Sequence, residues 1–275
     1  MLKRAINPAM AEYRGNVGNL LQHWVLCEIL SAASASNGAT QVAFVDAYSM
    51  APLAHQRPKL DQTSQVFDLV RTRLPGEGTP YEKAWHTLSP TGNAYPNSAA
   101  FLTAVWPGRY SLLLCEIERT IAENLRAWTE NVKHKPHCIG AEVAEGDWRK
   151  RFRKGVRLSG DFAFFSFDPY MFDRHGPGKS PKPGNMHPSD LKILATAIGP
   201  ISQGIVVQLS TFSANNDNAQ PDVIEVVRSG LKDSGLEIVA DVHANGNMMS
   251  IVLVRNIAWA DSLGSLGSRF KFWLD

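Results

Sequence analysis

An apolar run that stops at an acid recurs down this chain, and no other feature constrains the fold as much. Val42-Ala43-Phe44-Val45 ends at Asp46, Ser111-Leu112-Leu113-Leu114-Cys115 at Glu116, and Phe162-Ala163-Phe164-Phe165-Ser166-Phe167 at Asp168. Gly204-Ile205-Val206-Val207-Gln208-Leu209 ends instead in Ser210 and Thr211. A strand with one solvated face alternates apolar and polar residues, whereas a strand that is apolar throughout must be covered on both faces, as in a parallel sheet between helices. Helical periodicity fills the intervals. Val17, Leu20, Leu21, Val25, Leu26, Ile29 and Leu30 recur at helical spacing before the first run. Stretches 99–105, 118–128 and 221–231 repeat the signal, with Ser98 as the expected cap of the first and Pro221 at the start of the last. The chain closes differently: 237–243 and 248–254 flank Asn245-Gly246, the mark of an antiparallel hairpin. The expected fold is α/β and Rossmann-like, a mostly parallel sheet finished by a C-terminal antiparallel hairpin.

At 275 residues and 44% hydrophobic content, the chain can bury one large core. It reads as a single domain over 1–275. A helical insertion is expected over 56–94, where Pro58, Pro75, Gly76, Gly78, Pro80, Pro90 and Gly92 interrupt the pattern around short helical stretches at 62–72 and 81–88. The net charge of +2, from 28 basic and 26 acidic residues, excludes the global electrostatic signature of a nucleic-acid binder, so any such contact must use local patches. Met1-Leu2-Lys3-Arg4-Ala5-Ile6-Asn7-Pro8 has no apolar segment after its basic residues. No window approaches the ~18 apolar residues of a membrane span, so a soluble, cytoplasmic protein is expected. Cys27, Cys115 and Cys138 are widely spaced and form no C-x-x-C pair, which argues for buried thiols and against a disulfide framework or a zinc site.

Asp168-Pro169-Tyr170 carries the clearest chemical signal. Pro169 cannot donate to a sheet ladder and pushes Asp168 out of the helical region, so the strand stops there and presents a carboxylate and a ring where open α/β sheets bind ligands. The same residues are also an ordinary strand-to-turn signal. Lys179 and Lys182 lie in the Gly- and Pro-rich loop 174–184 that follows, either as a solvated loop or as phosphate contacts on the substrate side.

The motifs, taken in order from about Tyr13 to Phe172, resemble the bacterial large-subunit (23S) ribosomal RNA adenine-N6 methyltransferases of the RlmJ type, which are class I S-adenosylmethionine-dependent enzymes. Gly15-Asn16-Val17-Gly18-Asn19-Leu20-Leu21-Gln22-His23 is similar to their Gly-Asn-His-Ala-Asp-Val-Leu-Lys-His, with Gln22 in place of Lys. Tyr95-Pro96-Asn97-Ser98-Ala99 resembles Tyr-Pro-Gly-Ser-Pro, Cys115-Glu116-Ile117-Glu118 resembles Thr-Glu-Leu-His, and Ala144-Glu145-Gly146-Asp147-Trp148 resembles Ala-Asp-Gly-Phe. Asp168-Pro169-Tyr170 stands for Asp-Pro-Pro-Tyr, the segment with which such enzymes grip an exocyclic amine and stack the flipped base.

The resemblance implies catalysis by Asp168, Pro169 and Tyr170. It implies contacts to S-adenosylmethionine from His23, Asp46, Tyr48, Ser98, Glu116, Gly146 and Asp147, with His23 readable equally as a histidine satisfied on its own helix. Phe172, Lys179 and Lys182 would meet the acceptor, a nucleic acid and RNA rather than DNA, and no metal is implied. The one-residue deletion after Pro169 leaves either Tyr170 or Phe172 as the stacking ring. The family's glycine-rich turn Asp-Thr-His-Ala-Gly-Ala-Gly is here Asp46-Ala47-Tyr48-Ser49-Met50-Ala51-Pro52, so the loop must take another path or fill the pocket. That departure supports the alternative of a catalytically lapsed methyltransferase-like protein that binds nucleic acid, a nucleotide or a protein partner. A nicotinamide-dependent oxidoreductase is disfavoured, since no G-x-G-x-x-G follows any strand.

Overall fold

The computed structural model describes residues 17–36, 39–55, 78–90, 94–173, 182–212, 222–244 and 248–274. In chain order the elements are α1 (Val17–Ala35), β1 (Gln41–Asp46), β2 (Leu53–His55), α2 (Pro80–Leu88), β3 (Ala94–Pro96), α3 (Ser98–Val105), β4 (Arg109–Glu116) and α4 (Arg119–Lys133). There follow β5 (Cys138–Glu145), α5 (Trp148–Arg153), β6 (Phe162–Phe167), β7 (Met171–Phe172), β8 (Asn185–Met186), α6 (Pro188–Ile198) and β9 (Gly204–Phe212). The chain ends with α7 (Val223–Gly230), β10 (Glu237–Ala244), β11 (Met248–Arg255) and α8 (Leu266–Leu274).

Seven strands form one sheet in the order β10-β11-β9-β6-β1-β4-β5. β5, β4, β1, β6 and β9 run parallel, and β11 is antiparallel to both β9 and β10. This is the Rossmann-like class I outline expected from the apolar runs and the closing hairpin. The Asn245-Gly246 turn itself lies outside the described residues.

Strand alternation divides the core into two layers. Val42, Phe44, Leu112, Leu114, Phe162, Phe164 and Val206 point to the face covered by α1 and α3, where Trp24, Leu26 and Phe101 meet them. Val45, Leu113, Phe165, Phe167 and Val207 point to the other face, against Phe152, Leu191 and Val227 of α5, α6 and α7. The parity that sends Phe44 and Phe164 under α1 sends Asp46 and Ser166 the same way, and they are register partners. Asp46 and Asp168 therefore face α1, with Asp168 bonded to Asn19.

Several boundaries differ from expectation. Asn97, not Ser98, caps α3, its side chain accepting from the Ala100 amide. α4 runs on to Lys133, and α7 begins at Val223 behind an Asp222 cap. Residues 56–77 and 91–93 of the expected insertion lie outside the described residues. Its described helix, α2, starts with a Thr79–Glu82 capping box and buries Tyr81 and Trp85 in the layer shared by α1 and α3, so this part is continuous with the main core. No helix among the described residues is long and apolar enough to cross a membrane.

Candidate functional site

The chain leaves β1 to build β4 and β5 on one side and β6 and β9 on the other, so the carboxyl ends of β1 and β6 flank the point where the direction of winding reverses. Open α/β sheets bind their ligands in that crevice. Here it is a small cleft, open to solvent. Asp46 and Asp168 form its floor, Asn19, Gln22 and His23 of α1 one wall, Tyr95 to Ser98 at the entry to α3 another, and Tyr48, Met50 and Ala51 its rim.

Asp46 is 1% exposed, and its Oδ1 accepts the Tyr48 amide at 3.2 Å. Burial raises its pKa to about 7. Asp168 is raised to about 7 as well, by burial first and by the charge of Asp46 second, and its Oδ2 accepts from Asn19 Nδ2 at 3.4 Å. The fold thus holds two carboxyls beside each other in surroundings that resist their ionisation. A cationic ligand in the cleft would favour the ionised pair.

The opposite wall is neutral. Burial lowers the pKa of His23 to about 3, so its ring is uncharged at neutral pH. Nδ1 lies 3.0 Å from the Tyr95 hydroxyl and Nε2 3.0 Å from Ser98 Oγ, while the ring stacks on Phe101 at 4.7 Å. Gln22 Nε2 donates to the same Ser98 Oγ at 3.2 Å, and the Tyr81 and Tyr95 hydroxyls are 3.3 Å apart. The ring nitrogens of His23 are thus both satisfied, by Tyr95 and Ser98, and the residue also lines the cleft. Ser98 opens α3, whose first-turn amides have no acceptor within the helix, so this wall favours negative charge.

The segment that replaces the glycine-rich turn is tied to its surroundings. The Ser49 amide donates to the Cys115 carbonyl at 2.9 Å, Asn97 Nδ2 to the Met50 carbonyl at 2.8 Å, and the Asn97 amide to the Pro52 carbonyl at 3.1 Å. Among the described residues Asn256 alone has a positive φ without being glycine, so the loop has taken a path that side chains tolerate. Tyr48 reaches toward β8, its hydroxyl donating to the Asn185 carbonyl at 3.4 Å and its ring 6.2 Å from Trp148.

Glu116, Gly146 and Asp147 do not line the cleft. They sit at the next strand ends, where Glu116 Oε1 accepts the Glu118 amide at 2.8 Å. Asp147 caps α5 by accepting the Arg149 amide at 2.9 Å and pairs with the Arg149 guanidinium at 3.2 Å. Gly146 has φ +120°, a conformation that favours glycine, and joins the two strand ends by donating to the Glu116 carbonyl at 2.8 Å.

Phe172 is a correction. It is fully buried with Phe165 and Phe167, because strand β7 turns it into the core, and it has no face to offer an acceptor. Tyr170 is 40% exposed beside the buried Pro169, its amide donating to the Gly184 carbonyl at 2.9 Å. Lys182 is exposed, and Lys179 lies outside the described residues. Asn19, Gln22, Tyr95 and Met50 line the cleft without having been singled out as site residues. Asn19, Gln22 and His23 fall at i, i+3 and i+4, a polar stripe on the buried face of an otherwise apolar helix, and that stripe was the available signal. No group of His, Cys, Asp or Glu among the described residues is arranged to hold a metal ion.

No protein-family model matches the chain, and no curated protein matches its sequence. Its structure is similar to that of a protein from Legionella pneumophila str. Philadelphia 1 described under the family model DUF519, with a TM-score of 0.64 and 13% identity over 94% of this chain and 93% of that one. A SAM-dependent methyltransferase from Aquifex aeolicus matches at TM-score 0.41 and 9% identity over 91% and 99% of the two chains. A cofactor-bound protein from MTB, Rv0187, matches at TM-score 0.39 and 12% identity over 93% and 83%. The last two superpose too loosely to carry an argument. The Legionella protein shares the fold of this chain over nearly the whole length of both.

Proposed function

We propose that the protein is an S-adenosylmethionine-dependent methyltransferase of the RlmJ type, acting on an adenine-N6-like exocyclic amine of a nucleic acid, RNA rather than DNA. One observation carries the reading: the pairing of buried Asp46 with half-buried Asp168 at the winding reversal of a class I sheet. The cofactor's charges fit the two walls. Its ammonium and sulfonium would lie toward Asp46, and its carboxylate toward Ser98 and the first turn of α3. Glu116, with the 45% exposed Ile117 next to it, would flank the nucleoside.

When bound, the cofactor supplies a methyl group already activated on sulfur. Alignment of the acceptor is then the main contribution of the protein. Asp168 would hold the acceptor amine and accept its proton, and a carboxyl with a pKa of about 7 suits that exchange near neutral pH. The exposed ring of Tyr170 stacks on the base. The lapsed-enzyme reading draws on Met50 and Ala51, which stand in the rim where the family has its glycine-rich turn.

Radiolabelled methyl donor supplied with mixed cellular RNA and DNA tests the proposal. Label should enter RNA. Asp168→Asn should lower transfer by ~10²–10⁴-fold, the usual contribution of a positioned acid or base, while cofactor affinity stays within a few-fold. Cofactor binding with label in neither nucleic acid supports the lapsed enzyme, and undiminished transfer by Asp168→Asn contradicts the assignment of the site.

A further inference from the structure

The segment Arg149-Lys150-Arg151-Phe152-Arg153-Lys154-Gly155-Val156-Arg157 gathers six basic residues in a chain whose net charge is only +2. The fold sorts them. Trp148, Arg149 and Phe152 turn inward from α5, and Lys150, Arg153 and Lys154 turn out to solvent on the opposite face, with Arg157 exposed just beyond. Arg151 pairs with Glu142, but Lys150, Arg153, Lys154 and Arg157 have no carboxylate partner among the described residues. The nearby acids are engaged: Asp147 and Asp190 hold Arg149, Glu145 pairs with Arg126, and Asp161 accepts from the Thr40 and Gln41 amides.

The start of α5, through the inward-turned Arg149, is tied to the segment that follows Tyr170. The Tyr170 amide donates to the Gly184 carbonyl at 2.9 Å, and Arg149 Nη1 donates to the neighbouring Pro183 carbonyl at 3.3 Å, which fixes the segment carrying Lys182 against the start of α5. Lys182 is thus held near the start of α5, from which Lys150, Arg153, Lys154 and Arg157 follow along the chain as exposed cations.

We propose that this flank, Lys182 with Lys150, Arg153, Lys154 and Arg157, is a docking surface for the phosphate backbone of the nucleic-acid acceptor. The proposal rests on the nucleic-acid reading above and adds where the polymer lies. The charge is complementary to a polyanion, and the apolar stems of the long side chains need no pocket to reach successive phosphates.

The test is fluorescence anisotropy of a labelled RNA hairpin with the full chain and no methyl donor, so that loss of docking is distinguishable from loss of cofactor binding. Changing Lys150, Arg153, Lys154 and Arg157 together to Gln should weaken binding about tenfold or more at low salt and flatten the dependence of log affinity on log salt by up to roughly 3, since each lost phosphate contact removes ~0.7–0.9 from the slope. The same four changes made at the exposed Lys83, Lys135, Lys232 and Lys271 should leave the slope nearly unchanged. Circular dichroism and thermal melting confirm that both variants fold. Equal weakening by the two variants shows only general charge and overturns the proposal. So does undiminished RNA binding by the first variant, including the case in which that variant loses binding to anionic lipid vesicles instead.

Discussion

Asp46 and Asp168 set how this site responds to pH. The ordinary pKa of Asp46 is 3.8 and burial raises it to about 7. Between those values the folded protein keeps a proton that the unfolded chain has released, so the contribution of the group to stability is full below the lower value and is lost as pH rises through the upper one. Asp168 adds to the same loss. His23 works in the opposite direction: its pKa falls from 6.5 to about 3, so its contribution is present above 6.5 and is lost as pH falls below that. A variant isolates the acid. Asp46→Asn, which can still accept the Tyr48 amide, should stabilise the protein at pH about 8 by on the order of 2 kcal/mol and change little below pH about 4, as denaturant titrations at the two pH values would show. Destabilisation of equal size at both would mean that the carboxylate is satisfied. At this scale the site was half legible. Asp46, Ser98 and Asp168 could be found from strand ends and motif order, whereas the burial of Phe172 depends on the short β7–β8 pairing, which two residues of sequence cannot signal.

Among the elements, α5 shows how local sequence positions the site. Arg149 makes a bidentate pair with Asp190, at 2.8 Å from Nε and 2.7 Å from Nη2, and also donates to the Pro183 and Asn185 carbonyls. It fastens the segment after Tyr170 to α5 and to the first turn of α6, where Asp190 also accepts the His187 amide at 2.9 Å. Arg149→Ala would leave a buried carboxylate and two carbonyls without their partner. It should cost about 3–5 kcal/mol of stability and speed amide hydrogen exchange over 182–187 before the central strands respond. Arg149→Lys should recover only part of this, because an ammonium cannot make the planar double contact. Stability within about 0.5 kcal/mol of the parent for the Ala variant would show that the clamp is dispensable.

The same region shows why some elements were hidden. β5 is an edge strand, only partly buried along its length, so its sequence Cys-Ile-Gly-Ala-Glu-Val-Ala-Glu lacks the apolar continuity that revealed β1, β4, β6 and β9. The start signal of α6 is Asp190 accepting the His187 amide, with Pro188 in the first turn, just after a Gly- and Pro-rich loop that masks it.

For the molecule as a whole, the apolar runs fixed the parallel sheet and the Asn-Gly signal its antiparallel close, because both follow from how a covered sheet must bury its strands. The position of the cleft follows from strand order, which local sequence does not contain but the ordered motifs implied. What no pattern could supply was the distribution of partners: Asp147 spent on a cap and an ion pair, Glu116 outside the cleft lining, and a neutral His23 within it.

The central claim is that this cleft takes a cationic cofactor at Asp46, and calorimetric titration with S-adenosylmethionine and its demethylated product tests it most directly. Near neutral pH, in buffers of different ionisation enthalpy, both should bind with net proton release, because the ammonium they share draws the raised carboxyl into its ionised form. S-adenosylmethionine should release more, its sulfonium adding charge, and Asp46→Asn should weaken both and reduce the release. Folded protein that binds neither compound would contradict the account.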